Sequence, residues 1–427
     1  MIIGYSQVIL KNRLVKNVLV MVSGTAGAQI IAFLLMPFIT RYYGPETYGI
    51  YGTFIASIGI MGTFTALSYP IAIVLPSSDS IARKLMQLSI IIASIISGIT
   101  LIILLIFGDS ILNRIGISEI IPYKLFLPLM MFLTAYQAIA QQWLIRKEKF
   151  KGIANTSVLH SVVNFGGQAA MGLYAPLSVT LIAIHSIAIS LRSTLMLYIG
   201  IENKRSTVKD STKLIEVAKK YKDFPVFRTP QTLLDAISQG LPVLMLTSLF
   251  GPSVAGFYAL TKMALSAPGQ VIAGSVQSVF YPHFNKANLN ENPVLKLLIK
   301  SIGWLAIISI LPFTTIIIFG PTIFSYVFGN EWYEAGVYAR WVAISTFFSI
   351  ISRPAISAIS VFNLQAWFLK FEIFSLIVRV SALLLSFRYF KSALFAIALY
   401  SCATALLNLI ISIKTLYYSK QLDYGRI

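Results

Sequence analysis

Six ionisable side chains lie inside long apolar stretches of this chain: Arg192, Lys262, Arg353, Arg379, Asp235 and Glu372. An ionised side chain near the middle of a membrane helix costs on the order of 3 kcal/mol, so each of these must face a wet lumen or a partner. Four are basic and two acidic, and that excess of positive charge favours an anionic ligand. Phosphate suits it, because guanidinium offers paired donors and ammonium a point charge. Lys262, Arg353 and Arg379 lie farthest from the ends of their stretches, with Ser266 and Pro268, Ser352 and Pro354, and Ser375 and Ser381 nearby. They lead the candidates for ligand contact, joined by Arg192 and Arg41. Arg192 sits toward one end of its stretch, where a long side chain can also snorkel to the headgroups. Asp235 and Glu372 are candidates for an acidic or ion-coupling role. Asp235 is also placed to pair with Arg228 or Lys222, and Glu372 shares a helix face with Arg379, two turns away. His160 and His185 read as hydrogen-bonded packing residues rather than proton carriers.

These residues need a scaffold, and composition defines it. The 427 residues are 57% hydrophobic and 11% charged, too apolar for a soluble globule. A net charge of +19 would point to nucleic acid in a soluble protein. Here most basic residues sit in short segments between apolar spans, where they set topology, so no nucleic-acid partner is expected. The single cysteine, Cys402, lies inside an apolar span and excludes a disulfide framework or thiol metal cluster. Lys11, Arg13, Lys16 and the following apolar run ending in Ala26-Gly27-Ala28 have the outline of a secretory signal. Apolar character resumes from Ile30 to Thr40, which makes the stretch an uncleaved first helix.

Crossing a bilayer takes roughly 20 apolar residues. By that measure there are twelve spans: 18–40, 50–74, 85–107, 125–145, 153–174, 177–199, 232–250, 254–280, 301–319, 341–362, 371–387 and 393–413. Between the sixth and seventh lies the one long polar segment. From Ile201 to Arg228 it carries eight basic and four acidic residues. With both termini cytoplasmic, 24 of the 34 basic residues fall on the inside, six on the outside and four within spans. That asymmetry predicts cytoplasmic termini and a cytoplasmic hinge. The expected architecture is an all-α polytopic membrane protein of twelve helices in two lobes, 1–200 and 230–427, joined by a basic hinge at 201–229.

An internal repeat supports two halves. Tyr43-Gly44-Pro45-Glu46-Thr47-Tyr48-Gly49-Ile50-Tyr51 recurs as Phe250-Gly251-Pro252-Ser253-Val254-Ala255-Gly256-Phe257-Tyr258, and Phe107-Gly108-Asp109-Ser110-Ile111 as Phe319-Gly320-Pro321-Thr322-Ile323. Gly-Pro is also ordinary turn chemistry; the near-equal offsets of 207 and 212 give the pairs their weight. Six spans separate the copies, so the halves point the same way and are related by a pseudo-two-fold axis along the membrane normal, with a ligand expected between them near mid-membrane.

Glycines such as Gly24, Gly27, Gly59 and Gly62 allow close helix packing. Amides at Gln29, Gln137, Gln141, Gln142, Asn164, Gln168, Gln270 and Gln277 either bind sugar hydroxyls in a hydrated cavity or hold helices together. Pro37, Pro128, Pro242, Pro268, Pro312 and Pro354 permit kinks. No paired carboxylates, metal-ligand set or activated nucleophile is visible, so no catalytic residue, metal or cofactor is expected.

Arg41-Tyr42-Tyr43-Gly44-Pro45-Glu46-Thr47-Tyr48-Gly49-Ile50-Tyr51 resembles the loop after helix one in the polysaccharide transporters of the multidrug/oligosaccharidyl-lipid/polysaccharide (MOP) exporter superfamily. Phe250 to Phe284, ending Tyr281-Pro282-His283-Phe284, resembles their eighth helix. The stretch Phe328-Gly329-Asn330-Glu331-Trp332-Tyr333-Glu334-Ala335-Gly336 resembles the segment before helix ten, and Gln141 to Lys151 the loop after helix four. Within the superfamily the chain is most similar to the O-antigen flippases of Wzx type. The resemblance implies two six-helix lobes around a cationic lumen, in the bacterial inner membrane. It implies movement of undecaprenyl-diphosphate-linked oligosaccharide to the periplasmic leaflet for lipopolysaccharide or related surface polysaccharide. Membrane lipid, a coupling ion (proton or sodium), a polysaccharide polymerase and a chain-length regulator are the implied partners. Lys262, Arg353 and Arg379 match that cationic lumen by helix location. The alternatives are a drug exporter of the same superfamily, expected to have a more acidic cavity, and a membrane glycan polymerase or glycosyltransferase.

Overall fold

The computed structural model describes residues 13–200, 213–266, 294–362 and 364–423. Among them the regular structure is helical throughout. The helices are α1 (Arg13–Tyr42), α2 (Pro45–Phe64), α3 (Tyr69–Ala72), α4 (Asp79–Ile115), α5 (Phe126–Arg146), α6 (Phe150–Ser161), α7 (Gly167–Gly172), α8 (Ser178–Gly200), α9 (Leu214–Lys220) and α10 (Thr229–Phe250). There follow α11 (252–266), α12 (Val294–Phe328), α13 (Tyr333–Ile351), α14 (Arg353–Val361), α15 (Gln365–Phe390) and α16 (Ala393–Asp423). The expected spans are mostly helix where they are described, the second being broken at residues 65–68, where Leu67 and Ser68 take positive φ and separate α2 from α3; the chain is an all-α polytopic membrane protein. The latter part of the eighth span, with Pro268, Gln270, Gln277 and Tyr281 to Phe284, lies outside the described residues, as do residues 201–212 of the polar segment. Six described helices are individually long and apolar enough to cross a membrane, and a seventh span is the pair Asn330–Ile351 and Arg353–Ile359, bent by 43°.

Burial runs inside out relative to a soluble protein. On α4 the buried positions are Ala82, Leu85, Ser89, Ala93, Ser97, Leu104, Gly108 and Leu112, a stripe at helical spacing that meets α5. The opposite face shows Ile95, Ile99, Ile102 and Ile106. Small residues on the inner stripe let helix backbones approach, and large apolar ones outside suit lipid. Buried hydroxyls are satisfied locally: Ser89 Oγ donates to the Leu85 carbonyl at 2.7 Å and Ser193 Oγ to that of Ile189 at 2.7 Å.

The chain divides into two compact units, residues 1–255 and 256–427. In the first, α1 packs on α6, α5 on α8 and α2 on α10. Phe54, Ile58, Met130, Met131, Ile182 and Ile189 build its largest core. The first unit includes α10, the seventh span, which packs along α2. The described end of the polar segment is also held to this unit. Val217 of α9 is buried beside Tyr69, Ile73 and Trp143, and the Tyr69 hydroxyl donates to the Ala218 carbonyl at 3.2 Å. In the second unit α12 packs on α13, α13 on α16 and α16 on α15.

Helix ends depart from the expected spans. Phe107-Gly108-Asp109 and Phe319-Gly320-Pro321 lie inside α4 and α12, so neither marks a loop. The α4 helix runs to Ile115 and stops at Gly116, which takes the left-handed φ of +79° that glycine alone adopts without strain. Both Gly-Pro copies of the first repeat do open helices: Pro45 is the first residue of α2 and Pro252 of α11. That position suits proline, whose missing N–H would be unpaired there anyway.

Candidate functional site

In the second unit, Lys262 is half-buried on α11, and Arg353 is exposed at the first position of α14, where the bent span breaks. Glu372 is half-buried on α15. Arg379, two turns later on the same helix, has a buried Nε with no hydrogen-bond partner. One turn before it, Ser375 is fully buried and its Oγ is likewise without a partner. Tyr258 of α11 and Tyr400 of α16 stand edge-on, with ring centroids 6.3 Å apart, and their hydroxyls are hydrogen-bonded to each other. Both lie within electrostatic reach of the Arg379 guanidinium. Three helices thus converge on one half-buried guanidinium, a setting that can hold an oxyanion. At the break before Arg353, Ser352 Oγ donates to Asn408 Oδ1 at 3.0 Å, tying the bend to α16.

In the first unit the expected residues are dispersed. Arg41 is exposed at the end of α1, and Asp235 is exposed on α10. The pairing of Asp235 with Arg228 or Lys222 is not formed: Arg228 Nη1 donates instead to Gln231 Oε1 at 2.8 Å, three residues along the same helix. Proximity in sequence decides that competition, because the exposed carboxylate gains little from an ion pair in water. Arg192 is half-buried on α8, and its Nη2 donates to Ser157 Oγ of α6 at 2.9 Å.

A polar network that residue types alone left open lies beside Arg192. Between α6 and α7 the chain forms one π-helical turn, Val162–Gly166, a local widening that is frequent at functional sites. It carries Asn164, and Gln168 follows one turn later; both are buried. Gln168 Nε2 donates to Asn164 Oδ1 at 3.3 Å, Asn164 Oδ1 lies 3.1 Å from His185 Nδ1, and the Tyr43 hydroxyl donates to the Gln168 carbonyl at 3.2 Å. His185 is a hydrogen-bonded packing residue, as its type and setting predict. His160 is not, since its Nε2 is buried without a partner. The four-residue spacing of Asn164 and Gln168 was the available signal; the π turn between helix segments leaves none in sequence. Among the described residues no cluster of three or more His, Cys, Asp or Glu side chains forms a metal site.

A family model described as polysaccharide biosynthesis protein matches residues 38–337. No curated protein sequence matches the chain. Among solved structures, the lipid II flippase MurJ in an inward closed conformation superposes with a TM-score of 0.72 at 15% identity, over 96% of this chain and 90% of that one. An inward-facing multidrug resistance MATE transporter of the MOP superfamily gives 0.64 at 14%, over 95% and 94%. A MOP superfamily transporter from Pyrococcus furiosus Vc1 gives 0.63 at 15%, over 96% of both. At these identities the likeness is one of fold, and the neighbours are named as transporters and a flippase rather than enzymes. The chain therefore has the MOP fold and, by the family match across most of its length, belongs to the polysaccharide biosynthesis protein family.

Proposed function

We infer that this protein is a flippase that moves an undecaprenyl-diphosphate-linked oligosaccharide, an O-antigen or related surface polysaccharide unit, from the cytoplasmic to the periplasmic leaflet of the bacterial inner membrane. Membership of a polysaccharide biosynthesis family and the MOP fold support transport of a glycan intermediate. The observation that carries the reading is the half-buried Arg379, whose Nε is buried without a hydrogen-bond partner and which no carboxylate among the described residues pairs, within a membrane bundle whose span charges are mostly basic. In this reading Lys262, Arg353, Arg379, Arg192 and Arg41 form a cationic lumen, and alternating access carries the diphosphate and sugars across while the lipid tail stays in the bilayer. Asp235 or Glu372 answers to the coupling ion, proton or sodium. The lobes are 1–200 and 230–427, the hinge 201–229 and both termini are cytoplasmic.

The test is deletion in the native cell, scored for surface polysaccharide and for its lipid-linked precursor. Loss of the first with build-up of the second is expected, and Arg379→Ala made at normal membrane level should reproduce it. Normal surface glycan in the deletion strain, with a drug retained instead, would replace this reading with a drug exporter.

A further inference from the structure

The second span breaks where its own residues give little reason for it to. Thr65-Ala66-Leu67-Ser68 holds no glycine or proline, yet Leu67 and Ser68 take φ of 48° and 55°, left-handed values that a Cβ opposes in any residue but glycine. Pro70 follows, and its ring denies the Ala66 carbonyl a helical bond. That accounts for a kink, not for two left-handed residues in a row. Beyond the break the backbone runs on in tight turns: Tyr69 N–H donates to the Ala66 carbonyl at 3.1 Å, Ile71 to Ser68 at 3.1 Å, Ile73 to Pro70 at 3.1 Å and Leu75 to Ala72 at 3.0 Å. A run of such three-residue turns inside a span marks strain or a hinge.

What holds the break is the polar segment. Thr229 Oγ1, at the first residue of α10, donates to Ser68 Oγ at 3.0 Å, and both residues are buried. The Tyr69 hydroxyl donates to the Ala218 carbonyl of α9 at 3.2 Å. Val217 is buried among Tyr69, Ala72 and Ile73, and Tyr221 and Phe224 pack against the same cluster. Between α9 and α10 the chain makes a π turn, Phe224–Arg228, that ends at Thr229. The irregular turn before the seventh span therefore meets the irregular turn inside the second at one buried hydrogen bond. The other end of the segment is tied to this unit too, since Trp143 Nε1 donates to the Gly200 carbonyl at 3.1 Å and Lys149 Nζ to the Ile199 carbonyl at 2.7 Å. Strained residues persist only where their surroundings over-determine them, and here those surroundings are α9 and the start of α10.

We propose that α9 and the π turn after it form a latch on the second span. Docked, they hold Leu67 and Ser68 left-handed and keep α2 and α3 apart. Released, the two residues return to the right-handed region and α2 runs into α3 as one helix kinked at Pro70. The coupling is reciprocal: whatever draws α9 away closes the break, and whatever closes the break expels α9. Because α10 begins at Thr229, the same movement changes how the seventh span enters the bundle. The latch goes beyond the flippase reading and does not depend on what the protein carries.

Lys219 and Lys220 are exposed on α9, so trypsin cleavage after them, followed by peptide mass in full-length protein in nanodiscs, reads release of the latch. Cutting of a transiently opened segment follows its open population. Leu67→Gly removes the left-handed penalty and Leu67→Ala keeps it, while both lose the same side chain from the cluster. Alanine also favours the helical, released form. Cleavage after Lys219 and Lys220 should be roughly tenfold slower in Leu67→Gly than in Leu67→Ala. Val217→Asp should speed that cleavage, and should speed hydrogen exchange of the amides of Tyr69, Ile71, Ile73 and Leu75 about tenfold or more while α5 and α8 exchange as in wild type. Equal cleavage of the two Leu67 variants overturns the proposal, as does unchanged exchange at those four amides in a folded Val217→Asp. If Val217→Asp does not fold, which faster exchange in α5 and α8 would reveal, the Leu67 pair decides alone. Normal surface glycan in the deletion strain would remove the flippase reading and leave the latch standing.

Discussion

Thr53 Oγ1 of α2 and Thr247 Oγ1 of α10 lie 2.6 Å apart in a fully buried contact between positions 194 residues apart in sequence. Their helices are close enough that a Cβ on Gly240 would sit 3.1 Å from the Ala56 carbonyl oxygen. Nearby, Ser248 Oγ donates to the Ile115 carbonyl at 2.9 Å, tying α10 to the end of α4. Alternating access requires some packed helices to part, and a seam held by small and hydroxyl residues is easier to open and reclose than an interlocked apolar one. On the flippase reading, Thr53→Cys with Thr247→Cys, in a Cys402→Ser background, should therefore form a disulfide under oxidation and stop surface-glycan export, with recovery on reduction. Export that continues at the normal rate with the crosslink complete would show that this seam stays closed throughout the cycle.

Asp79 gathers two cations at the start of α4. Arg146 Nε donates to its Oδ1 at 2.9 Å and Lys147 Nζ to its Oδ2 at 2.6 Å, while Arg146 Nη1 reaches the Pro76 carbonyl at 2.5 Å. The Arg146 side chain is 9% exposed and the Asp79 side chain 36%. Removing the carboxylate leaves the better-buried partner charged and short of an acceptor, which is where a broken pair is most costly. Asp79→Asn should lower stability by about 1–3 kcal/mol, read as a fall in the unfolding midpoint of purified protein. Arg146→Lys should lose part of this, because one ammonium cannot serve Asp79 and the Pro76 carbonyl together. An unchanged midpoint for Asp79→Asn would mean that water already screens the pair.

Hydropathy carried the span pattern because lipid requires a run of roughly 20 apolar residues whatever the tertiary fold. It did not carry helix ends. Phe107 and Phe319 close the apolar runs, yet α4 and α12 continue to Ile115 and Phe328, since a helix leaving the bilayer keeps its hydrogen bonds without staying apolar. Arg379 is legible in sequence as an intramembrane charge with Glu372 on the same helix face, but its setting beside Tyr258 and Tyr400 depends on α11, α15 and α16 meeting, which no local signal encodes. Asn164 and Gln168 were open between binding sugar and joining helices; in the structure both amides are spent inside the first unit. His160 reads like His185 in sequence, and the difference between them is which one Asn164 reaches.

Gly320 and Gly336 bring α12 and α13 into backbone contact. A Cβ added to Gly336 would lie 2.5 Å from the Gly320 carbonyl oxygen and from Pro321 Cα, and one added to Gly320 would lie 2.7 Å from the Gly336 carbonyl oxygen. Backbone atoms cannot swing aside as a side chain does, so the helices must separate. Gly303, on the same α12, has open space within 4 Å. Gly336→Ala should destabilise the protein by about 1–3 kcal/mol, whereas Gly303→Ala should be neutral or mildly stabilising through helix propensity. Thermal unfolding in detergent distinguishes the two, and equal midpoints would mean that α12 and α13 separate without cost to admit the methyl group.

The repeated Gly-Pro element makes a prediction that sequence similarity alone would get wrong. Gly44 and Gly251 occupy equivalent positions, each just before the proline that opens a helix. Gly44 has φ −63° and ψ 171°, an extended conformation open to any residue. Gly251 has φ +91° and ψ 168°, which a side chain adopts only under strain. The difference follows from what precedes each glycine: Tyr43 still donates to the Ile39 carbonyl at 2.9 Å as the end of α1, whereas Gly251 itself closes α10 by donating to Thr247 at 2.9 Å and must then reverse the chain. Space is not the issue at Gly251, where nothing lies within 4 Å of an added Cβ. Gly251→Ala should therefore cost about 1–3 kcal/mol through backbone strain alone. Gly44→Ala should cost less, about 0.5–1 kcal/mol, the loss of a glycine cap without backbone strain. Matching losses at the two positions would show that the two glycines share one conformation.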